Sequence, residues 1–427
     1  MATLTTIDGI LKDNYGELVE QLNNEVFMLS QIEKNTNSMD ADGRRAVHAI
    51  HTGRNAGLGA RAEGGTLPTA GSQAYKAVPV PLRFLYGTVS LTGQTIKLAN
   101  SNNGAFANAM EKEMSGLQAD WRKDVGRQVW GTSNGVVATC GTTTTSTTVV
   151  LTALTTPTQM RQLYNDGGMI VDIGTVATPT SVASARTITA VSDTTYGSYT
   201  ATISGATVST TDGTHFLFRS GNGGASTNTG LTGDGQLELT GLQTIVDNAD
   251  TLHTLTVASN PTWKAGEYSN GGTLREVSEP MITNGLMQSQ IKGGNATLLV
   301  TAEGVHLRIS ALLTSLKRAM NTVKLPGGHI GIEWSTPNVN QPGGSSTALV
   351  VDQDCPGNAL YGIDPSSLVL YEAAPVGWID DDGSILHTNA LSGGTDVFSA
   401  GLRFFGEQAC YRRNVNFKIT DLTESLF

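Results

Sequence analysis

The sequence predicts an α+β protein with a small all-β domain inserted in its middle. Three observations carry this prediction. Apolar residues recur at helical spacing in three long segments, and strand-like runs rich in β-branched and aromatic residues lie between them. From Gly131 to Gly235, however, the composition changes sharply. That stretch holds no lysine and no glutamate; Lys123 and Lys264 bracket the lysine gap, and Glu113 and Glu238 the glutamate gap. Thr, Ser, Gly and Val fill it, as in Thr142-Thr143-Thr144-Thr145 and Thr200-Ala201-Thr202-Ile203-Ser204.

The elements follow in order. Ile7, Leu11, Tyr15, Leu18, Leu22, Val26, Leu29 and Ile32 step by three and four, which predicts a long amphipathic helix that must bury its stripe. Gly53, Gly57, Gly59, Gly64, Gly65, Pro68 and Gly71 make residues 52–72 a loop. Gln73 to Val80 and Phe84 to Leu91 read as strands, with Pro79 and Pro81 at the joint, and together they predict an extended two-stranded arm. Ala105 to Val129 is a second helix, with the stripe Phe106, Met110, Met114, Leu117, Trp121, Val125 and Val129.

In the insert, Met160 to Tyr164 predicts a helical turn. Met169 to Ile173, Arg186 to Val191, Ser198 to Ile203 and His215 to Phe218 predict short strands, with turns at Asp193-Thr194 and Asp212-Gly213. Such a set suggests a small sandwich or barrel. Afterwards the mixed pattern returns. Pro280 to Ile291 predicts a helix capped by Ser278. A strand at Ala296 to Val300 leads to a helix capped by Thr301, with the stripe Val305, Ile309, Leu312, Leu313, Leu316 and Met320 and with Lys317 and Arg318 in its last turn. Strands at His329 to Trp334, Thr347 to Val351, Leu368 to Tyr371 and Phe404 to Ile419 complete the body.

Composition narrows the function. The chain of 427 residues is long enough for two or three domains. Only 15% of residues are charged, so much of the surface is neutral. The formal net charge of −10 argues against a protein whose main task is neutralising phosphates. Arg44, Arg45, Arg54 and Arg61 form a small basic cluster early in the chain. Cys140, Cys355 and Cys410 are far apart and odd in number, which points to free thiols in a reducing compartment. The start lacks a basic and apolar leader, and no apolar run reaches the ~18 residues of a membrane span, so no membrane association is expected.

Catalytic and metal motifs do not assemble. Gly57-Leu58-Gly59-Ala60-Arg61-Ala62 has the spacing of a dinucleotide fingerprint but lacks the strand before it and the helix after it. Gly131-Thr132-Ser133-Asn134-Gly135 has the letters of a nucleophile elbow, yet a helix precedes it and strand-like Val136-Val137-Ala138 follows, the reverse of what the motif needs. His48 and His51 lack a third ligand, and His215, His253, His306, His329 and His387 are isolated. Asp380-Asp381-Asp382-Gly383 lacks the further ligands of a calcium loop. Asp352-Gln353-Asp354-Cys355-Pro356 has no visible partner base. The expectation is no catalytic, cofactor or metal site.

The order of elements resembles the major capsid proteins of tailed phages, the Hong Kong 97-type capsid fold. Local phrases fit as well: Thr66-Leu67-Pro68-Thr69-Ala70-Gly71-Ser72-Gln73, Leu85-Tyr86-Gly87, Gly241 to Asp247, Pro261-Thr262-Trp263 and Leu298 to Met320. The resemblance implies an N-terminal arm over 1–55 and an extended loop over 56–100. It further implies the spine helix of a peripheral domain over 101–134, an inserted β-rich domain over 135–235, and the remaining peripheral and axial domains over 236–427. It implies a structural subunit that assembles with many copies of itself, as hexamers and pentamers, into an icosahedral virion shell around double-stranded DNA, formed in the host cytoplasm. Leu11, Tyr15, Leu18, Leu22, Arg44, Arg45, Arg54, Arg61, Tyr75, Lys76 and Tyr86 are the expected subunit-interface residues. Because the arm-like helix begins almost at Met1, the resemblance implies a separate scaffolding protein, unless the chain is numbered after processing. Some members of the family cross-link a lysine to a neighbour's asparagine; Lys76 lies in the arm-like strands, but no motif identifies a partner, and no cross-link is expected. The insert is expected as a surface-exposed extra domain that decorates the shell or contacts a neighbour; facing outward, its partner is open between a decoration protein and host glycans. Two other readings stand beside this one: an encapsulin-like nanocompartment shell, and a β-rich tail or adhesin protein, which would require β-structure throughout.

Overall fold

The computed structural model describes residues 26–35, 45–92, 103–151, 163, 169–192, 199–222, 236–248, 251–315, 322–326, 329–336, 345–380, 383–388 and 396–424. Leu11, Tyr15, Leu18, Leu22 and Arg44 lie outside the described residues. So do the turn at Asp193-Thr194, most of Met160 to Tyr164, the Leu316 to Met320 end of the third stripe, and Asp381-Asp382.

The first described element is α1, Phe27–Gln31. The sequence predicts one helix through Ile32, but Val26 and Ile32 both have extended backbone, so α1 is a separate five-residue turn. Phe27, Met28 and Leu29 are all buried. Three consecutive buried side chains need cover on more than one side, which a one-faced surface helix does not have. The chain continues through β1 (Glu33–Asn35), β2 (Arg45–Gly53), β3 (Ala74–Pro81), β4 (Arg83–Thr92) and α2 (Asn103–Trp130). At ~1.5 Å per residue α2 is a rod of about 42 Å. Met114, Trp121, Val125 and Val129 are buried along its stripe, and Leu117 packs against the same core.

The insert carries β5 (Val136–Thr139), β6 (Thr143–Ser146), β7 (Thr148–Val150), β8 (Ile170–Gly174), β9 (Ala183–Ser192), β10 (Thr200–Ile203), β11 (Val208–Thr210) and β12 (Phe216–Arg219). Six of these form one sheet in the order β5-β12-β8-β9-β10-β7. The sheet then closes on itself: Cys140, just after β5, bridges Leu151, just after β7, and the Gly141 N–H donates to the Val150 carbonyl at 2.8 Å. The result is a small barrel with β6 and β11 as a separate ribbon. Its own core includes Val137, Val149, Val171, Ile173, Ile188, Ala201 and Leu217, all but closed to solvent. The first and last strands, β5 and β12, pair with each other, so the barrel's ends meet. Its stems also touch: Gly241 lies so close to the Gly131 backbone that a Cβ there has no room.

The second half of the host contains α3 (Leu242–Ile245), β13 (Gly266–Tyr268), α4 (Glu279–Ile291), β14 (Leu298–Thr301), α5 (Glu303–Ser315), β15 (Thr322–Lys324), β16 (Ile330–Thr336), β17 (Ser345–Val351), β18 (Leu360–Ile363), β19 (Leu368–Trp378), β20 (His387–Thr388), β21 (Val397–Cys410) and β22 (Phe417–Ile419). Two capping predictions are corrected. Ser278 is at the N-cap of α4 but makes no capping hydrogen bond. Thr301 belongs to β14, where its hydroxyl donates to the Ala359 carbonyl, a buried acceptor that competes better than a helix end.

Two sheets organise the host. A seven-stranded mixed sheet runs β13-β22-β18-β14-β17-β16-β15. Period-two alternation splits β14: Leu298 and Val300 enter the main core, whereas Leu299 faces Ile282, Leu286, Val305 and Ile309 of α4 and α5. In the second sheet β21 is central, pairing with β19 on one side and β4 on the other, and β1 flanks β19. α2 covers this sheet, with Leu117 and Trp121 over Gly87 of β4. Arg413, fully buried, donates from its guanidinium to the Thr244 and Ile245 carbonyls at the end of α3. The three cysteines are free and buried, and burial pushes the Cys410 thiol up to about 11, so they stay thiols.

Candidate assembly surface

The three most exposed large apolar side chains among the described residues, Leu58, Leu67 and Tyr75, lie on one hairpin and its loop. β2 and β3 pair antiparallel from Arg45↔Pro81 at the root to Gly53↔Ala74 at the tip. The arm predicted from Gln73–Val80 and Phe84–Leu91 is therefore built differently. Only Leu82 separates β3 from β4, too short a link for a hairpin turn, so the chain turns a corner there. β3 pairs back across the glycine-rich loop, while β4 joins β21 in the host sheet.

Alternation gives the hairpin two faces. Ala46, His48, Ile50, Val78 and Val80 face inward and are buried. Arg45, Val47, Ala49, His51, Tyr75 and Ala77 face outward and are exposed. His48 and His51 thus point to opposite sides, which removes them as a metal pair, and among the described residues no group of three metal-ligating side chains occurs. His51 instead lies 2.6 Å from Gln73 Oε1. His48 stacks edge-on against Tyr411 at 4.9 Å and lies 3.4 Å from the Tyr371 hydroxyl. Burial lowers its pKa to about 4, so it is neutral in the fold.

Residues 54–73 join β2 to β3 without regular structure. Gly57 and Gly71 press the loop's two limbs together, each lacking room for a side chain against the other limb. The dinucleotide-like spacing at Gly57 serves this contact. Leu58 and Leu67 are 83% and 81% exposed, which no self-contained loop favours. Arg61 donates to the Thr66 carbonyl at 2.8 Å and stiffens the tip. Arg45, Arg54, Arg61 and Lys76 face the single carboxylate Glu63 between residues 45 and 77, so the hairpin is basic in a chain of net charge −10.

The expected interface residues that are described divide among four places. Arg45 and Tyr75 share the hairpin's outer face, and Arg54 and Arg61 are in its loop. Arg45 and Arg54 lie at opposite ends of the nine-residue β2, about 30 Å apart, so the arginines do not form one cluster. Lys76 lies on the opposite side of β3 from Tyr75, is exposed, and donates to Asn260 Oδ1 of its own chain at 2.5 Å. Tyr86 lies elsewhere, on the outer face of β4. There Phe84 and Tyr86 meet Phe405 edge-on at 5.0 and 5.7 Å, and Arg403 lies 6.0 Å from the Phe405 ring. Sequence reasoning missed Phe84, Phe405 and Arg403; the signal was the alternation of Phe84 and Tyr86 with Leu85, Gly87 and Val89.

The motifs that resembled active-site sequences serve structure. Ser133 has φ 60°, but its hydroxyl donates to the Thr132 carbonyl and contacts Gln236 Oε1 on the opposite stem of the barrel. Asp352 accepts from the Trp130 indole at 2.9 Å and from the Asp354 N–H. Among the described residues no helix is long and apolar enough to cross a membrane.

No protein-family model and no curated protein matches the sequence. Solved structures similar to the chain include the cyanophage A-1(L) capsid asymmetric unit, at 10% identity and TM-score 0.49, covering 92% of this chain and 91% of that one. The capsid of Myoviridae phage XM1 is similar at 8% identity and TM-score 0.43, covering 94% and 91%. The SrpI encapsulin complex of Synechococcus elongatus is similar at 7% identity and TM-score 0.41, covering 94% and 90%.

Proposed function

We propose that the chain is a structural subunit of a virion shell, a major capsid protein of the Hong Kong 97 type. In this reading many copies assemble around double-stranded DNA, with a separate scaffolding protein directing closure. The observation that carries it is the hairpin. Its root is anchored in the host core, yet its tip holds Leu58, Leu67 and Tyr75 in solvent. Apolar groups held out on a basic arm suit an acidic partner, and another copy of this chain carries a formal net charge of −10. α2 serves as the spine helix, and the seven-stranded sheet with α4 and α5 as the axial domain. The barrel, whose stems meet at Gly131 and Gly241, is the surface-exposed extra domain, where a decoration protein would bind. No catalytic role is assigned to any residue.

Negative-stain electron microscopy of the purified chain, alone and coexpressed with its genomic neighbours, tests this. Capsomer rings or closed shells are the expected result. Shells filled with a protein cargo instead of DNA would transfer the reading to a nanocompartment. A chain that stays monomeric under both conditions would overturn it. The β-rich adhesin reading predicts strands throughout and has no place for the 28 residues of α2.

A further inference from the structure

Arg83 is the first residue of β4, directly beyond the corner at Leu82 where the hairpin enters the host. It is nearly buried, and Glu407 on β21 is fully buried. Arg83 Nε donates to Glu407 Oε2 at 2.8 Å, and its Nη1 donates to the Gln236 carbonyl in the barrel's exit stem. The other carboxylate oxygen, Oε1, accepts the Thr240 N–H from the same stem at 2.7 Å and the Gln408 N–H at 2.9 Å. One ion pair therefore ties together the hairpin root, the barrel stem and the central strand of the sheet. The stem has further fixings. Arg127 of α2 donates to Glu238 at 2.5 and 2.9 Å, and Gln128 Oε1 accepts the Leu239 N–H.

A buried ion pair adds little net stability over an apolar pair of similar size, because desolvation offsets the attraction. What it adds here is position. The guanidinium fork and the carboxylate each meet partners on two elements, so neither element can shift without breaking a charge-assisted bond. We propose that Arg83–Glu407 is a mechanical coupler: it fixes the angle of the hairpin and the orientation of the inserted barrel as one variable. A partner that bends the hairpin would then turn the barrel. The coupling is a property of the single chain and holds whether or not the chain forms shells.

The test is single-molecule energy transfer between Ala49→Cys on the hairpin and Thr189→Cys on the barrel, both exposed positions in a chain whose own thiols are buried. The otherwise native chain should give one narrow distance distribution. With Arg83→Met and Glu407→Leu added, the distribution should broaden at least about two-fold, since the hairpin root then loses its tie to a stem that Arg127 and Gln128 still hold to α2. Equal widths would overturn the proposal. Native-state hydrogen exchange on the unaltered chain decides the matter even where the double variant does not fold. The Thr240 and Gln408 amides should open together, with protection agreeing within about two-fold. Exchange of one while the other stays protected would overturn it.

Discussion

The hairpin and the inserted barrel both leave the host and return at nearly the same point, but they solve opposite problems. The barrel closes its sheet between Cys140 and Leu151 and encloses Val171, Ile173, Ala201 and Leu217. Every strand of it then has neighbours, and its apolar residues need no one else. The hairpin stays two-stranded; among the described residues its inner face is covered from Ala46 to Ile50, and its loop is not. A lone two-stranded hairpin is marginal in water, and this one holds leucines in solvent at its tip. Closure lets a module bury its own apolar residues; an open pair of strands leaves the leucines of its loop in solvent.

The strongest way to break this contrast is to shorten the hairpin. Replacing residues 55–71 with an Asn-Gly turn should abolish assembly completely in sedimentation velocity, while the melting temperature of the isolated chain stays within a few degrees. A large fall in melting temperature would show that the loop is part of the fold.

The barrel should respond in the opposite way. Leu217→Ala removes a fully buried core side chain and should cost about 2–5 kcal/mol in the barrel's own denaturant transition. The host transition should stay in place. If barrel and host melt as one and move together, the barrel is not independent.

At the hairpin root, acidity gives a graded test. An unfolded histidine titrates near 6.5, while burial holds His48 near 4. Between these values the unfolded chain binds the extra proton, so stability is full above about pH 6.5 and is lost as pH falls toward 4, by at most about 3 kcal/mol. Glu407 acts in the opposite sense. Burial, partly offset by Arg83, raises its pKa to about 7, so its contribution falls as pH climbs from the ordinary carboxylate range toward 7. Comparing the native chain with His48→Leu isolates the first effect: the variant should lose less stability between pH 7 and 4.5. Identical pH profiles would show that His48 is not held neutral.

The smallest effect sharpens the contrast. Leu58→Ser and Leu67→Ser should leave stability within about 0.5 kcal/mol, as exposed substitutions do. The concentration needed for assembly should nonetheless rise about ten-fold, the value of roughly 1.4 kcal/mol at an interface.

Much of this was legible because it is local. The threonine-rich gap marked the barrel, and four of its strands fell within three residues of their predicted ends. The stripe from Met114 to Val129 marked α2 because a step of three or four residues places side chains on one face. Where the candidate residues would lie was legible only in part. Tyr75, Arg54 and Arg61 lie on the hairpin, Lys76 lies on the opposite side of β3 from Tyr75, and Tyr86 lies on β4. A strand's own pattern says that its residues alternate, not which face meets the core; its pairing partner decides that. Phe405 was missed because it meets Phe84 only across the β4–β21 ladder.

By itself the sequence determined that a helical and stranded host carries a β-rich insert, that a glycine-rich loop must be irregular, and that the thiols stay free. These follow from periodicity, backbone freedom and residue chemistry, which act over a few residues. Only the tertiary structure decided that β2 rather than β4 completes the hairpin, that the barrel closes, that α1 is a short turn between extended Val26 and Ile32, and that Arg83, Glu407 and the Gln236–Thr240 stem converge. Those outcomes depend on which distant groups compete for the same buried donors, acceptors and apolar faces, and no local pattern records the result of that competition.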